Sequence, residues 1–204
     1  MAHELQTKGA MSRFPHRRLR TARRAGRAGF TLIELAVVVT IIGILALLAV
    51  AGYTRLIRAS HVTEATEMVN AIKLAQEQYH AETGSYANIS ASLNVGDLYP
   101  AATPGAFKTI WGGTCASCPD PDAWKRLPVH ATGALLYGYA TVAGAQGAAL
   151  PATPISQVTL PAASAMTSDW FIVVGRGDQD GNGVFATVMG VSWTRDLFVD
   201  KDTE

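Results

Sequence analysis

Most of the short motifs that announce catalysis are missing from this chain. It has no phosphate-binding glycine loop, no His-Glu-x-x-His pair and no paired glycines of a dinucleotide site. The five histidines, His3, His16, His61, His80 and His130, do not fall into a catalytic spacing with a serine or a cysteine. No catalytic set remains, so the chain is expected not to be an enzyme. Cysteine is scarce as well, with only Cys115 and Cys118, spaced Cys-Ala-Ser-Cys. A zinc site needs a second pair of ligands, and no nearby histidine offers one. A redox pair calls for a βαβ setting, whereas these two cysteines stand in a proline-rich stretch. In an oxidising location outside the cell a local disulfide is the favoured reading. It would tie down a loop rather than hold the fold, contributing at most roughly 2 kcal/mol by the chain-entropy argument.

Charge is also sparse, at 16% of 204 residues against 49% hydrophobic, and it is unevenly placed. Residues 1–29 carry Lys8, Arg13, Arg17, Arg18, Arg20, Arg23, Arg24 and Arg27 against Glu4 alone. That balance is +7, so the remaining residues carry −6 of the formal total of +1. The acidic part offers no broad electrostatic grip on phosphates, and no specific nucleic acid is predicted as a partner. The basic part reads as a leader. From Leu35 to Thr54 no charge occurs at all, and Val, Ile, Leu and Ala dominate. About 20 such residues suffice to span a bilayer as a helix. With the arginines ahead of it, the positive-inside rule places the leader in the cytoplasm and everything after Thr54 outside.

Glu34 breaks the pattern at the head of the apolar run. A carboxylate at bilayer depth costs on the order of 2.5–3.5 kcal/mol on insertion scales, less near the edge, so it calls for a partner. A cut between Gly29 and Phe30 would create an amine four residues, or one helical turn, from Glu34. The same amine could be met by the Glu34 of a neighbouring copy. A rival reading takes Ala49-Val50-Ala51 as a signal-peptidase site. The apolar stretch then exceeds the roughly 7–15 residues of a signal-peptide core, and Glu34 is left unexplained.

The stretch Gly29-Phe30-Thr31-Leu32-Ile33-Glu34-Leu35, with the long apolar run behind it, resembles the cleavage and methylation motif of type IV pilins and type II secretion pseudopilins. The resemblance implies cleavage by the prepilin peptidase after Gly29, N-methylation of Phe30 and use of Glu34 in registering subunits during assembly. It also implies a bacterial inner-membrane precursor that moves into a filament in the periplasm or at the cell surface. Ala28 stands between Arg27 and Gly29, where members of that family commonly carry a base directly before the glycine. Many members also have a proline late in the membrane segment; here the chain reads Val50-Ala51-Gly52-Tyr53, so no proline kink is expected and Gly52 is the weak point. A Thr-Gly-x-Tyr like that of pilins follows at Thr83-Gly84-Ser85-Tyr86.

Past Arg55 the pattern turns amphipathic, with Val62, Ala65, Val69, Ile72, Leu74 or Ala75, and Tyr79 at spacings of three and four. A single helix is predicted from Phe30 to about Glu82, closed by Gly84. Residues 87–132, rich in proline and glycine, read as an irregular loop. Strand-like runs follow at Ala134–Val142, Trp170–Val174, Val184–Val191 and Leu197–Val199, with a solvent-facing loop over residues 143–168. The predicted fold class is α+β and pilin-like. One long N-terminal helix, membrane-spanning in its first half and amphipathic in its second, packs on a C-terminal antiparallel sheet. The organisation is then a leader over 1–29, a transmembrane and assembly helix over 30–54 and an extracytoplasmic domain over 55–204.

Asp178, Asp180 and Asn182 occupy positions one, three and five of a calcium loop, and Gly183 position six. Position twelve, where a bidentate Glu should close the shell, is Met189, which excludes a full EF-hand. Two readings stand, a polar turn between strands and a weak calcium site of the extracellular kind. The tripeptide Arg176-Gly177-Asp178 recurs by chance and carries little weight.

The functional expectation is a structural subunit of a type IV pilus-like filament, anchored in the lipid bilayer before assembly and polymerised by helix packing. Its partners would be other copies of itself, the prepilin peptidase and a pilus or type II secretion assembly machinery. Within the family the alternatives are a type II secretion pseudopilin and a minor pilin. From another class, a membrane-anchored binding module that never polymerises remains a competitor.

Overall fold

The computed structural model describes residues 29–113 and 121–201. Two compact units divide at Ile44 and Leu45. The first element, α1, runs without interruption from Leu32 to Thr83. Gly52 therefore lies inside a continuous helix, because a lone glycine costs about 1 kcal/mol of helix preference and does not break the ladder. In the first unit every side chain of α1 is exposed. Thr40, the one hydroxyl there, donates to the Ala36 carbonyl at 2.8 Å and so needs no outside partner.

In the second unit one stripe of α1 is buried: Val62, Ala65, Met68, Val69, Ile72 and Ala75. Leu74 is 72% exposed, so Ala75 continues the stripe. Gly84 donates to the His80 carbonyl at 2.8 Å and closes the helix.

The sheet is antiparallel. Strands β1 (Thr109–Ile110) and β2 (Ala134–Leu135) form a small ribbon. The main sheet holds β3 (Gly138–Gly144), β4 (Trp170–Gly177), β5 (Ala186–Val191) and β6 (Leu197–Asp200), in that order. The strand expected over 134–142 is thus split between two sheets. The stripe of α1 packs on one face of the main sheet, against Tyr139, Phe171, Val173 and Val188. Two glycines on neighbouring strands admit it. A Cβ on Gly175 would meet Tyr139 at 2.9 Å and Val69 at 3.3 Å, and one on Gly190 would meet Leu197 at 2.9 Å and Val69 at 3.2 Å.

The opposite face is not open to water. Ile172, Val174, Met189 and Val191 form a second core with Leu93, Leu98, Ile155 and Met166. The 143–168 stretch, expected to face solvent, therefore supplies Ile155 and Met166 as a cover. The reason lies in β4 and β5, whose near-continuous apolar runs give both faces something to bury.

The β3 edge is closed by the chain before it. Ile89 and Ser90 donate to the Thr141 carbonyl, and Tyr99 and Tyr139 exchange backbone bonds at 2.7 and 2.8 Å. Gln76, fully buried, fastens this chain to α1. Its amide donates to the Ala87 carbonyl at 2.8 Å and to Thr141 Oγ1 at 3.0 Å, and its oxygen accepts from Ala87 N–H at 2.9 Å.

Candidate functional site

The head of α1 is built by a reciprocal cap. Thr31 Oγ1 accepts the Glu34 N–H at 3.2 Å, while Glu34 Oε2 accepts both the Thr31 N–H and its hydroxyl at 2.8 Å. Thr-x-x-Glu is the capping-box arrangement, which satisfies two amides that a helix start leaves without partners. From the sequence Glu34 reads as a costly charge with a role in assembly and is given no capping role, although its spacing from Thr31 is a readable signal of one. Both bonds fall on Oε2, which leaves the other carboxylate oxygen available to a further donor.

Gly29 and Phe30 precede the helix, and both are exposed, Phe30 to 87%. A Cβ on Gly29 would meet no atom within 4 Å. Among the described residues no neighbour would obstruct a side chain at this position. From Leu32 to Val50 the helix then presents apolar side chains on all sides without burying any. It is long and apolar enough to cross a membrane.

The acidic turn after β4 behaves differently from the assembly helix. Asp178 is buried, and its Oδ1 accepts the amides of Gly181 and Asn182 at 2.8 and 3.1 Å. Its Oδ2 accepts the Gly183 amide at 2.9 Å. Asp180 accepts from Asn182 and pairs with Arg58 at 3.1 Å, and Asn182 Oδ1 accepts the Val184 amide at 2.7 Å. Next in the turn, Gln179 faces His61 Nδ1 at 2.8 Å and donates to Tyr137 Oη at 3.1 Å and to the Arg58 carbonyl at 3.4 Å. The three proposed calcium ligands do come together, but as a self-bonded turn that clasps α1. Among the described residues no three His, Cys, Asp or Glu side chains converge as a metal site. Cys115 and Cys118 lie outside the described residues.

The aromatic residues are mostly structural. Trp124 and Trp170 are buried, and Tyr99, Trp111 and Trp124 pack on one another with ring centroids 4.9–5.6 Å apart. Burial pushes the Tyr137 hydroxyl up to about 12, against the pull of its bond from Gln179, and raises Tyr139 further. Burial also lowers Lys73, whose ammonium donates to the Thr194 carbonyl at 2.9 Å.

One long N-terminal helix on an antiparallel sheet, headed by an exposed Gly-Phe and a capped glutamate, defines a pilin-like α+β protein. Comparison with family models sharpens the class: residues 24–50 match the prokaryotic N-terminal methylation motif, the type IV prepilin-like signature. No curated protein and no solved structure matches the chain.

Proposed function

We propose that this protein is a structural subunit of a type IV pilus-like filament. It is made as a membrane-anchored precursor, cut by the prepilin peptidase after Gly29 and N-methylated on Phe30. It then polymerises by packing the exposed half of α1 against other copies, with Glu34 meeting the Phe30 amine of a neighbour. The observation that carries this reading is a coincidence of position. The methylation motif over 24–50 falls on the segment of α1 that buries nothing within its own subunit. An uncovered apolar surface of that extent is served by lipid before assembly and by identical helices after it. The family of the motif is structural rather than enzymatic.

The test is intact-mass and N-terminal analysis of the protein from the cell envelope and from sheared surface material. The expected result is a chain beginning at N-methylated Phe30 in both fractions. A chain confined to the envelope, or one beginning at Gly52, would return the protein to the anchored or secreted classes. Abundance in the sheared fraction separates a major subunit from a minor pilin or a pseudopilin.

A further inference from the structure

Asn182-Gly183 is a dipeptide whose asparagine side chain is open to attack by the backbone, because the residue that follows has no Cβ to shield its amide nitrogen. The turn after β4 cannot give that glycine up. Gly183 stands at φ +83°, in the left-handed region where a side chain would be strained. Asn182 is exposed, so water reaches its amide. The fold thus keeps a reactive pair in contact with solvent, and hydrogen bonds are what restrain it.

Both reacting groups are held. The nucleophile is the Gly183 nitrogen once it has lost its proton, and that N–H is donated to Asp178 Oδ2 at 2.9 Å. Asp178 is buried, so an anion forming on this nitrogen meets a carboxylate that water screens poorly. The electrophile is Asn182 Cγ, whose amide is tied at both ends. Oδ1 accepts the Val184 N–H at 2.7 Å, and Nδ2 donates to Asp180 Oδ2 at 3.1 Å. Asp180 Oδ2 is in turn paired with Arg58 of α1 at 3.1 Å. Ring closure makes Cγ tetrahedral and expels Nδ2, so the amide must leave these anchors first.

We propose that Asn182 is a latent deamidation site, closed while the turn clasps α1 and committed when the clasp opens. In the open turn a base takes the Gly183 amide proton, the nitrogen adds to Asn182 Cγ, and the Cγ–Nδ2 bond breaks to release ammonia. Water then opens the cyclic imide at either carbonyl, leaving aspartate or isoaspartate in place of Asn182. The sum is amide plus water to carboxylate plus ammonium, with no change of oxidation state. For the clasp this step runs one way. The product lacks the Nδ2 donor that Asp180 accepts, and it sets another carboxylate beside Asp178 and Asp180. Isoaspartate also lengthens the main chain by a methylene ahead of β5, where Val184 is now held.

The full chain in detergent and a synthetic peptide of residues 176–186 are incubated side by side in mildly alkaline buffer. Conversion of Asn182 is followed by peptide mapping, through the mass gain of amide to acid and the separate elution of isoaspartate. The expected result is ready conversion of the peptide and a rate in the folded chain lower by about tenfold or more, the scale set by losing one bond to a charged group. Arg58→Ala unpins Asp180 at the surface. It should raise the rate in the folded chain by a few-fold, in keeping with a partly exposed ion pair, and leave the unfolding midpoint close to that of the parent. Equal rates in folded chain and peptide would overturn the closure. A peptide that resists conversion would overturn the site, and an unchanged rate in R58A would overturn its coupling to the clasp on α1.

Discussion

The two stretches of α1, Leu32–Val50 and Val62–Tyr79, share a backbone and differ in everything their side chains do. In the first, apolar residues occupy all faces and every one of them is exposed. In the second, apolar residues recur at three and four, and that stripe is buried on β4 and β5. A helix with one apolar stripe is matched to a partner in its own chain, whereas one apolar all round is matched to lipid or to a bundle. The contrast separates side chains that fold the domain from apolar side chains that find no cover within the subunit. Even the polar groups divide this way. Gln76 bonds into the domain, while among the described residues Glu34 bonds to its own helix start.

The sharpest way to break the comparison is at Glu34. Glu34→Ala removes both a cap and a charge, while Glu34→Gln keeps the cap, since glutamine serves a capping box as well. If pairing with a neighbour's amine is the function of the carboxylate, both variants should lose nearly all sheared filament. The membrane-bound precursor should remain at parent levels in each. Filament yield restored in E34Q would reduce Glu34 to a helix cap and remove the electrostatic step from assembly.

Next in size is a pair of truncations, one in each stretch. Ile72 is fully buried beneath the sheet, and Ile72→Ala should cost about 2–5 kcal/mol of domain stability. Leu47 is 76% exposed, and Leu47→Ala should leave the unfolding midpoint of the detergent-solubilised chain within about 1 °C, as surface changes usually do. Equal losses from the two would mean that the apolar half of α1 is covered within the subunit after all.

Much of this contrast was legible from the residues. Twenty uncharged positions after a basic leader have few physical readings, and the three-and-four spacing from Val62 to Tyr79 has one. The strands β4, β5 and β6 fell near their expected places because β-branched and aromatic residues cluster between glycine-rich turns. What escaped was long-range. Nothing local says that Gln76 will be buried, because its partners are eleven and sixty-five residues away. The 143–168 stretch reads as solvent-facing by composition, and only the unbroken apolar runs of β4 and β5 hinted that their second face needed a cover. At the head of α1 the reverse held. Thr31 and Glu34 form a local motif, overlooked because the charge of Glu34 drew the explanation toward the membrane.

The smallest expected effect sharpens the comparison through pH, because the buried ionisable groups lie in the packed domain. Tyr137 is 1% exposed, and burial raises its hydroxyl to about 12. In the unfolded chain it titrates near 10. A group whose folded value is raised contributes stability that is complete below the unfolded value and is lost as pH climbs through the folded one. Domain stability should therefore fall between about pH 10 and pH 12. Tyr139, raised by burial as well, acts in the same sense, while Lys73, lowered by burial, acts in the opposite sense. Tyr137→Phe isolates one share of this balance, at the expense of the hydrogen bond from Gln179. Its unfolding midpoint should start slightly below that of the parent at pH 8 and fall less steeply beyond pH 10. Helix signal from Leu32–Val50 should persist throughout, since no side chain there is buried in the subunit. Parallel pH profiles for parent and variant would show that the phenol of Tyr137 reaches water in the folded domain. The boundary between the packed and the exposed stretch of α1 would then be less sharp than the burial of its neighbours implies.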